Sequence, residues 1–311
     1  MYAAVVRSFD EPPRYDVFDE PAVADAGEIL VDIVAAGLHP RVRSAADGSH
    51  YTSEGGLPMV PGIDGVGRTA DGELLYFVAA DNAVGTMAER AVVDRRRAVV
   101  LPAGTDPVAV AAGMNPAMSS WIALRRRANF QPGGSVLVLG ATGNAGQLAV
   151  QIAKQLGASK VIGAGRNPER LELLTALGAD EAVNLDDVAK TAADVDVVLD
   201  YLWGEPTEHA MPALLHARTE RARPLTWIQI GSMAARELTL PSYLLRAAAL
   251  TIIGSGQGSV PARDILAELP SLATLITSGH LSINPLPIPL AELEQAWSKP
   301  LDPGVRVVLV P

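Results

Sequence analysis

One string constrains this chain more than any other: VLVLGATGNAGQLAVQIAKQLGA, residues 136–158. The apolar run SVLVL at 135–139 meets glycines at 140, 143 and 146, and apolar residues then recur at helical spacing to 156. Short apolar runs bounded by glycine read as buried strands, and the longer periodic stretch reads as a helix. A strand that turns through three glycines into a helix leaves backbone N–H groups uncovered at the helix N-terminus, where the dipole favours an anion. Such a turn suits a dinucleotide pyrophosphate. Glycine spacing alone is weak, because tight turns need glycine for backbone reasons. A second strand at the right distance, KVIGA at 160–164, gives it weight. The expected contacts are Ala141, Thr142, Gly143, Asn144 and Ala145, with Gly146 letting the helix pack on the strand.

The tip of the second strand bears on which dinucleotide binds. An NAD site wants a carboxylate about 20 residues past the glycines to accept from the ribose 2′-hydroxyl. Here the strand ends GAGRNPER, with no Asp or Glu at the tip. Gly165 opens space, and Arg166 and Arg170 offer cations for a 2′-phosphate, the plain alternative being two solvent-facing residues at the helix start. Cations near a helix N-terminus oppose the dipole and so want a reason. The expected cofactor is NADPH.

Strand and helix alternate from about residue 115 to 257, which points to a parallel, doubly wound α/β sheet. The first third differs. It carries short strand-like runs at 1–7, 28–36, 73–79 and 88–93, with a Gly- and Pro-rich stretch at 44–67 read as loops. After 258 come a helix, a proline-rich link NPLPIPL and a last strand, VRVVLV, expected to rejoin the first part. The expected division is 1–116 with 258–311, and 117–257.

Composition narrows the chemistry. The chain has no cysteine, which excludes disulfides, thiolate nucleophiles and cysteine-ligated zinc. Its 35 acidic against 25 basic residues give a net charge of −10, which weighs against nucleic acid or an anionic membrane as partner. The runs Arg95-Arg96-Arg97 and Arg125-Arg126-Arg127 read as solvated faces. No apolar stretch is long and clean enough to span a bilayer, and the expectation is a soluble cytoplasmic protein.

With these residues in hand the chain resembles the medium-chain dehydrogenase/reductase superfamily, in its zinc-independent quinone oxidoreductase branch. The match runs nearly the full length, through AAGLHPRVRSAADGSHYTSEGGLPMVPGIDGVG, AERAVV, PAMSSWIAL, the glycine turn, GSMAAR, LTIIGS and VRVVLV. The resemblance implies a GroES-like β-rich catalytic domain built from both chain ends, an inserted Rossmann domain, and an active-site cleft between them. It also marks a departure. Alcohol dehydrogenases of the superfamily place a cysteine and a Gly-His-Glu string around zinc, whereas this chain has His39 near the first position and Gly62-Ile63-Asp64 at the second. Isoleucine cannot ligate a metal, so no metal is expected.

The resemblance also suggests who does the chemistry. Tyr51 falls where related enone and enoyl-thioester reductases place a proton-donating tyrosine; the plain alternative is a packing ring. His39 stands where quinone reductases have an asparagine near the nicotinamide, either bonding ribose or substrate or simply satisfied in a loop. Ser119 replaces a threonine that faces the cofactor, with a core-facing serine as the alternative, and Gly231, Ser232, Gly254 and Ser255 end strands at the sheet edge where the nicotinamide sits. Together these give an NADPH-dependent reductase of a small quinone or activated enone, expected as a homodimer. An enoyl-thioester reductase, with Arg41 and Arg43 at its entrance, and an NADPH-binding sensor or structural protein with little turnover are the alternatives.

Overall fold

The computed structural model describes residues 1–50, 56–80, 84–298, 302 and 304–311. The chain divides into two compact units, 1–115 with 269–311 and 116–268. The first boundary falls inside a helix. The second lies beyond the expected residue 257, and the chemistry of Glu268 explains why. Its buried carboxylate accepts from the Trp121 indole at 2.8 Å and pairs with Arg125 and Arg126, each at 2.7 Å. These contacts tie the segment before 269 to the second unit.

The first unit begins with β1 (Tyr2–Val5) and β2 (Arg14–Val17), which pair antiparallel. Then come β3 (Glu28–Leu38), α1 (Pro40–Ala46), β4 (Asp64–Arg68), β5 (Leu74–Val78), β6 (Arg90–Asp94) and β7 (Ala98–Val100). Two of these elements correct the expectation of loops over 44–67. Proline at the first turn of α1 suits its preset φ, and β4 is a buried strand of the central sheet. Helix α2 (Pro107–Ile122) carries the chain into the second unit.

The second unit holds β8 (Ser135–Leu139), α3 (Asn144–Gln155), β9 (Lys160–Gly165), α4 (Pro168–Ala176), β10 (Glu181–Asn184), α5 (Val188–Thr191) and β11 (Val197–Asp200). It continues through α6 (Gly204–Ala217), β12 (Leu225–Gln229), α7 (Leu244–Ala247), β13 (Leu250–Gly254) and α8 (Ala262–Leu266). All six strands are parallel, in the order β10-β9-β8-β11-β12-β13. This is the doubly wound dinucleotide-binding order, with its topological switch between β8 and β11. Strand β11 is buried throughout and β8 from Val136 onward, as apolar runs without alternation require. Trp227, Leu137, Ile162 and Leu214 centre the core of this unit.

The chain returns to the first unit through α9 (Leu269–Thr277), β14 (Pro285–Pro289), α10 (Leu293–Ser298) and β15 (Arg306–Val310). Its larger sheet runs β14-β15-β3-β4-β5-β7, with β6 paired to β3, over a core that includes Leu38, Phe77, Met87 and Val307. The final strand thus joins the first part of the chain. The proline-rich link, however, is itself a strand. Prolines 285, 287 and 289 put every missing N–H on one side of β14, which a strand at the edge of a sheet tolerates.

Candidate functional site

At the glycine turn three glycines serve three different needs. Gly140 ends β8 with φ +81°, a backbone state that side chains rarely adopt. Gly146 sits where a Cβ would collide with the Gly140 carbonyl and come within 2.6 Å of Ala141 Cα, so it sets the approach of α3 to the strand. Gly143 is neither twisted nor crowded. It caps α3 with φ −80°, and a Cβ there would meet nothing closer than the Gly140 carbonyl at 3.6 Å. Packing therefore does not demand glycine at 143, while a ligand seated against the backbone would. Gly143 brings no side chain to cap α3, and no negative charge stands in the helix's first turn. Ala141 is buried, and Thr142, Asn144 and Ala145 are partly exposed around this cradle. The residues present fit a pyrophosphate.

The tip of β9 lies beside the cradle. A Cβ on Gly165 would stand 2.7 Å from Thr142 Cγ2, so a larger residue would press on the Thr142 side chain. Arg166 is exposed immediately after the strand, and Arg170 is half-buried in the first turn of α4. Asn167 caps that helix by accepting from the Arg170 backbone N–H at 3.1 Å. The cap accounts for the helix start without either guanidinium.

Across the switch point, β11 ends in Asp200, a buried carboxylate with four donors. It accepts from the backbone N–H groups of Leu202 (2.9 Å) and Trp203 (3.0 Å), the Thr207 hydroxyl (2.7 Å) and the Trp227 indole (2.9 Å). These bonds hold a tight turn in which Trp203 (φ +57°) and Gly204 (φ +60°) are both left-handed. Trp227 is fully buried, a core residue. Tyr201 follows Asp200, and its hydroxyl stands 2.9 Å from Ser119 Oγ. Burial pushes the Tyr201 phenol up to about 12, against the opposing pull of Ser119. Gly231, after β12, is pinned by its N–H to the Asp200 carbonyl at 3.1 Å, and a Cβ there would sit 2.8 Å from the Tyr201 carbonyl. Ser232 and Gly254 are exposed, while Ser255 is buried with its N–H on the Gln229 carbonyl at 2.8 Å. The turn, the β9 tip, Tyr201 and the β12 and β13 ends thus all lie at the C-terminal ends of the parallel strands. Sequence reasoning missed Asp200 and Tyr201; the signal was an acid ending a wholly apolar strand.

The other candidates lie in the first unit. Tyr51 is outside the described residues. His39 is 3% exposed and caps α1 without a side-chain bond to it. Its Nε2 stands 3.0 Å from Asp64 Oδ1. Burial pushes the His39 imidazole below its ordinary value; Asp64 pulls it back, and Arg306 and Arg41 add to the depression. Asp64 also accepts from the Tyr76 hydroxyl at 3.0 Å and the Asn115 amide at 3.4 Å. Sequence reasoning gave Asp64, Tyr76 and Asn115 no role. Arg43 donates to the Trp297 and Ala296 carbonyls and stacks over the Trp297 ring, 5.0 Å from its centroid. Among the described residues no three His, Asp or Glu side chains gather as metal ligands, and no helix is long and apolar enough to cross a membrane.

Known proteins are similar to this chain in sequence and fold. The family model described as zinc-binding dehydrogenase matches residues 145–272. A probable NADPH-dependent quinone reductase of Emericella nidulans is 32% identical, covering 100% of both chains. An NADPH-dependent alkenal/one oxidoreductase of Arabidopsis thaliana is 31% identical, over 56% of this chain and 49% of that protein. Among solved structures, the quinone oxidoreductase of Thermus thermophilus superposes with a TM-score of 0.83 at 28% identity, covering 100% of both chains. With the parallel sheet, its switch point and the glycine cradle in place, the chain belongs to the quinone oxidoreductase family of the medium-chain dehydrogenases/reductases.

Proposed function

We propose that this chain is an NADPH-dependent reductase that passes hydride to a small quinone or activated enone without a metal. The observation that carries the reading is Gly143, a glycine at a helix N-terminus that neither backbone strain nor packing requires. Relatives named as NADPH-dependent quinone and alkenal/one reductases support the same reading. NADPH, when bound, supplies the hydride; the protein holds and orients the reactants and excludes water.

In this reading the backbone from Ala141 to Ala145 receives the pyrophosphate, and Thr142 and Asn144 add side-chain bonds. Gly165 leaves room for the ribose 2′-phosphate, which Arg166 and Arg170 neutralise. Ser119 orders the Tyr201 hydroxyl, while Gly231, Ser232, Gly254 and Ser255 form the strand ends on the nicotinamide side. Tyr51 gives its proton to the substrate oxygen, and His39 hydrogen-bonds ribose or substrate. Metal independence is supported by Ile63 in the place of a ligand, the absence of cysteine, and the engagement of His39 with Asp64. The reading includes a cytoplasmic homodimer. Its support is β13, which lies at the sheet edge with Tyr243 and Leu245 exposed in the same unit, an edge that a second copy would cover.

The enoyl-thioester alternative loses one of its two entrance cations, because Arg43 is engaged with Trp297. The test follows NADPH oxidation with a simple quinone and with a conjugated enone. Turnover of either supports the reading. Tight NADPH binding with turnover of neither would place the protein among non-enzymatic NADPH binders.

A further inference from the structure

One nitrogen of His39 is held by a buried carboxylate. Nε2 faces Asp64 Oδ1 at 3.0 Å, inside a cluster whose members come from separate elements. Asp64 opens β4 and is 1% exposed; its own carbonyl accepts from the Thr86 hydroxyl at 2.8 Å. Tyr76, fully buried in β5, donates to Asp64 Oδ2 at 3.0 Å. Asn115, from α2, reaches Oδ1 at 3.4 Å with its amide nitrogen. That nitrogen has only protons to give, so Oδ1 serves as an acceptor. The proton in the His39–Asp64 bond therefore belongs to Nε2. A neutral imidazole carries one proton, which leaves a lone pair on Nδ1.

We propose that Asp64 is a positioning residue that fixes His39 as the Nε2–H tautomer, so that Nδ1 meets the reacting ligands as a hydrogen-bond acceptor and not as an acid. The inference rests on the reading that His39 contacts cofactor or substrate. Burial together with Arg306 and Arg41 keeps the ring neutral near pH 7, and Tyr76, whose phenol is pushed well up by the same burial, remains a donor to Asp64. The partner of Nδ1 is then a neutral O–H or N–H group of the cofactor, either a ribose hydroxyl or the nicotinamide carboxamide.

The test is a long-range ¹H–¹⁵N correlation spectrum of the ¹⁵N-histidine-labelled protein, with His39 assigned through His39→Asn. Without cofactor, His39 should show a protonated Nε2 and an unprotonated Nδ1. A proton on Nδ1 would overturn the proposal. In Asp64→Asn the carboxamide can donate toward Nε2, so a Nδ1–H population should appear and turnover should fall about tenfold, the scale of one misdirected hydrogen bond. An unchanged tautomer in a folded Asp64→Asn would also overturn it. Should that variant not fold, Tyr76→Phe keeps the carboxylate and should keep the Nε2–H form; a switch of tautomer there would count against Asp64. Adding NADP⁺ should shift Nδ1. A response to NADP⁺ but not to its 3-acetylpyridine analogue assigns the carboxamide as partner, and a response to both assigns a ribose hydroxyl. If neither moves Nδ1, the contact of His39 with the cofactor is overturned, while the apo tautomer still reports separately on Asp64.

Discussion

The hydroxyls of Ser119 and Tyr201 stand 2.9 Å apart, and Ser119 Oγ also lies 2.7 Å from the Pro116 carbonyl. A carbonyl can only accept, so the serine proton goes to Pro116, and Tyr201 donates to Ser119. The serine hydroxyl is thereby spent within its own unit, and in the proposed cofactor site its part would be to order the tyrosine. Ser119→Ala should cost about 1 kcal/mol of stability, the scale of a partly buried hydrogen bond, and change NADPH affinity less than threefold, or about 0.6 kcal/mol. Thermal unfolding and fluorescence titration decide it; a large loss of affinity with unchanged stability would return Ser119 to direct cofactor contact.

The Tyr201 phenol adds an alkaline signature. Its folded pKa is raised to about 12, above the unfolded value of about 10, so its neutral form is favoured by folding. That contribution is complete below about pH 10 and is lost as pH rises through about 12. Tyr201→Phe should flatten the loss of stability in this window. Parallel alkaline unfolding curves for parent and variant would contradict the assignment.

The glycine turn separates folding from binding. Gly143→Ala brings its Cβ no closer than ordinary contact, 3.6 Å from the Gly140 carbonyl, so the fold should survive with a cost below about 1 kcal/mol for the poorer helix cap. NADPH affinity should nonetheless fall about tenfold or more, because the methyl stands where the ligand approaches. Gly146→Ala should do the reverse first, losing about 1–3 kcal/mol of stability as its Cβ is driven into the Gly140 carbonyl. Equal effects of the two substitutions on unfolding would remove the distinction.

Arg166 should decide between the two nicotinamide cofactors. NADPH should bind at least about tenfold tighter than NADH, and Arg166→Ala should weaken NADPH by about 1–3 kcal/mol while leaving NADH nearly unchanged. Equal affinity of the parent protein for both would sink the assignment of the β9 tip.

Legibility in the sequence followed how local each cause was. The turn from Gly140 to Gly146 could be read because strand, glycines and helix are consecutive, and the β9 tip because it follows at a fixed distance. Strand β14 escaped because its prolines look like a linker until β15 supplies a partner from 21 residues on. The cluster around Asp64 escaped for a stronger reason. Residues 39, 64, 76 and 115 meet only when β3, β4, β5 and α2 have packed, and no periodicity in the chain announces it. Asp200 lies between these cases: a charged residue closing an apolar strand was visible, while its four donors were not.

His39 also predicts how the protein meets acid. Its folded pKa is lowered, chiefly by burial, from an ordinary value of about 6.5. The unfolded chain therefore binds a proton at His39 before the folded protein does. Stability from this group is complete above about pH 6.5 and is lost as pH falls through the lower folded value. The charged and titratable groups around the ring set the size of the effect: Asp64 favours the proton, while Arg306 and Arg41 oppose it. Arg306 is itself 8% exposed, donates to the Leu38 carbonyl at 3.1 Å, and is lowered to about 10 by burial. His50, half-buried and lowered by burial with Arg41 near, should add a smaller term in the same window. Denaturant unfolding between about pH 5 and 8 should show stability falling on the acid side, and His39→Asn should remove most of that slope. If the variant keeps the full acid slope, the loss belongs to other groups, and His39 titrates in the folded protein much as it does in the unfolded chain.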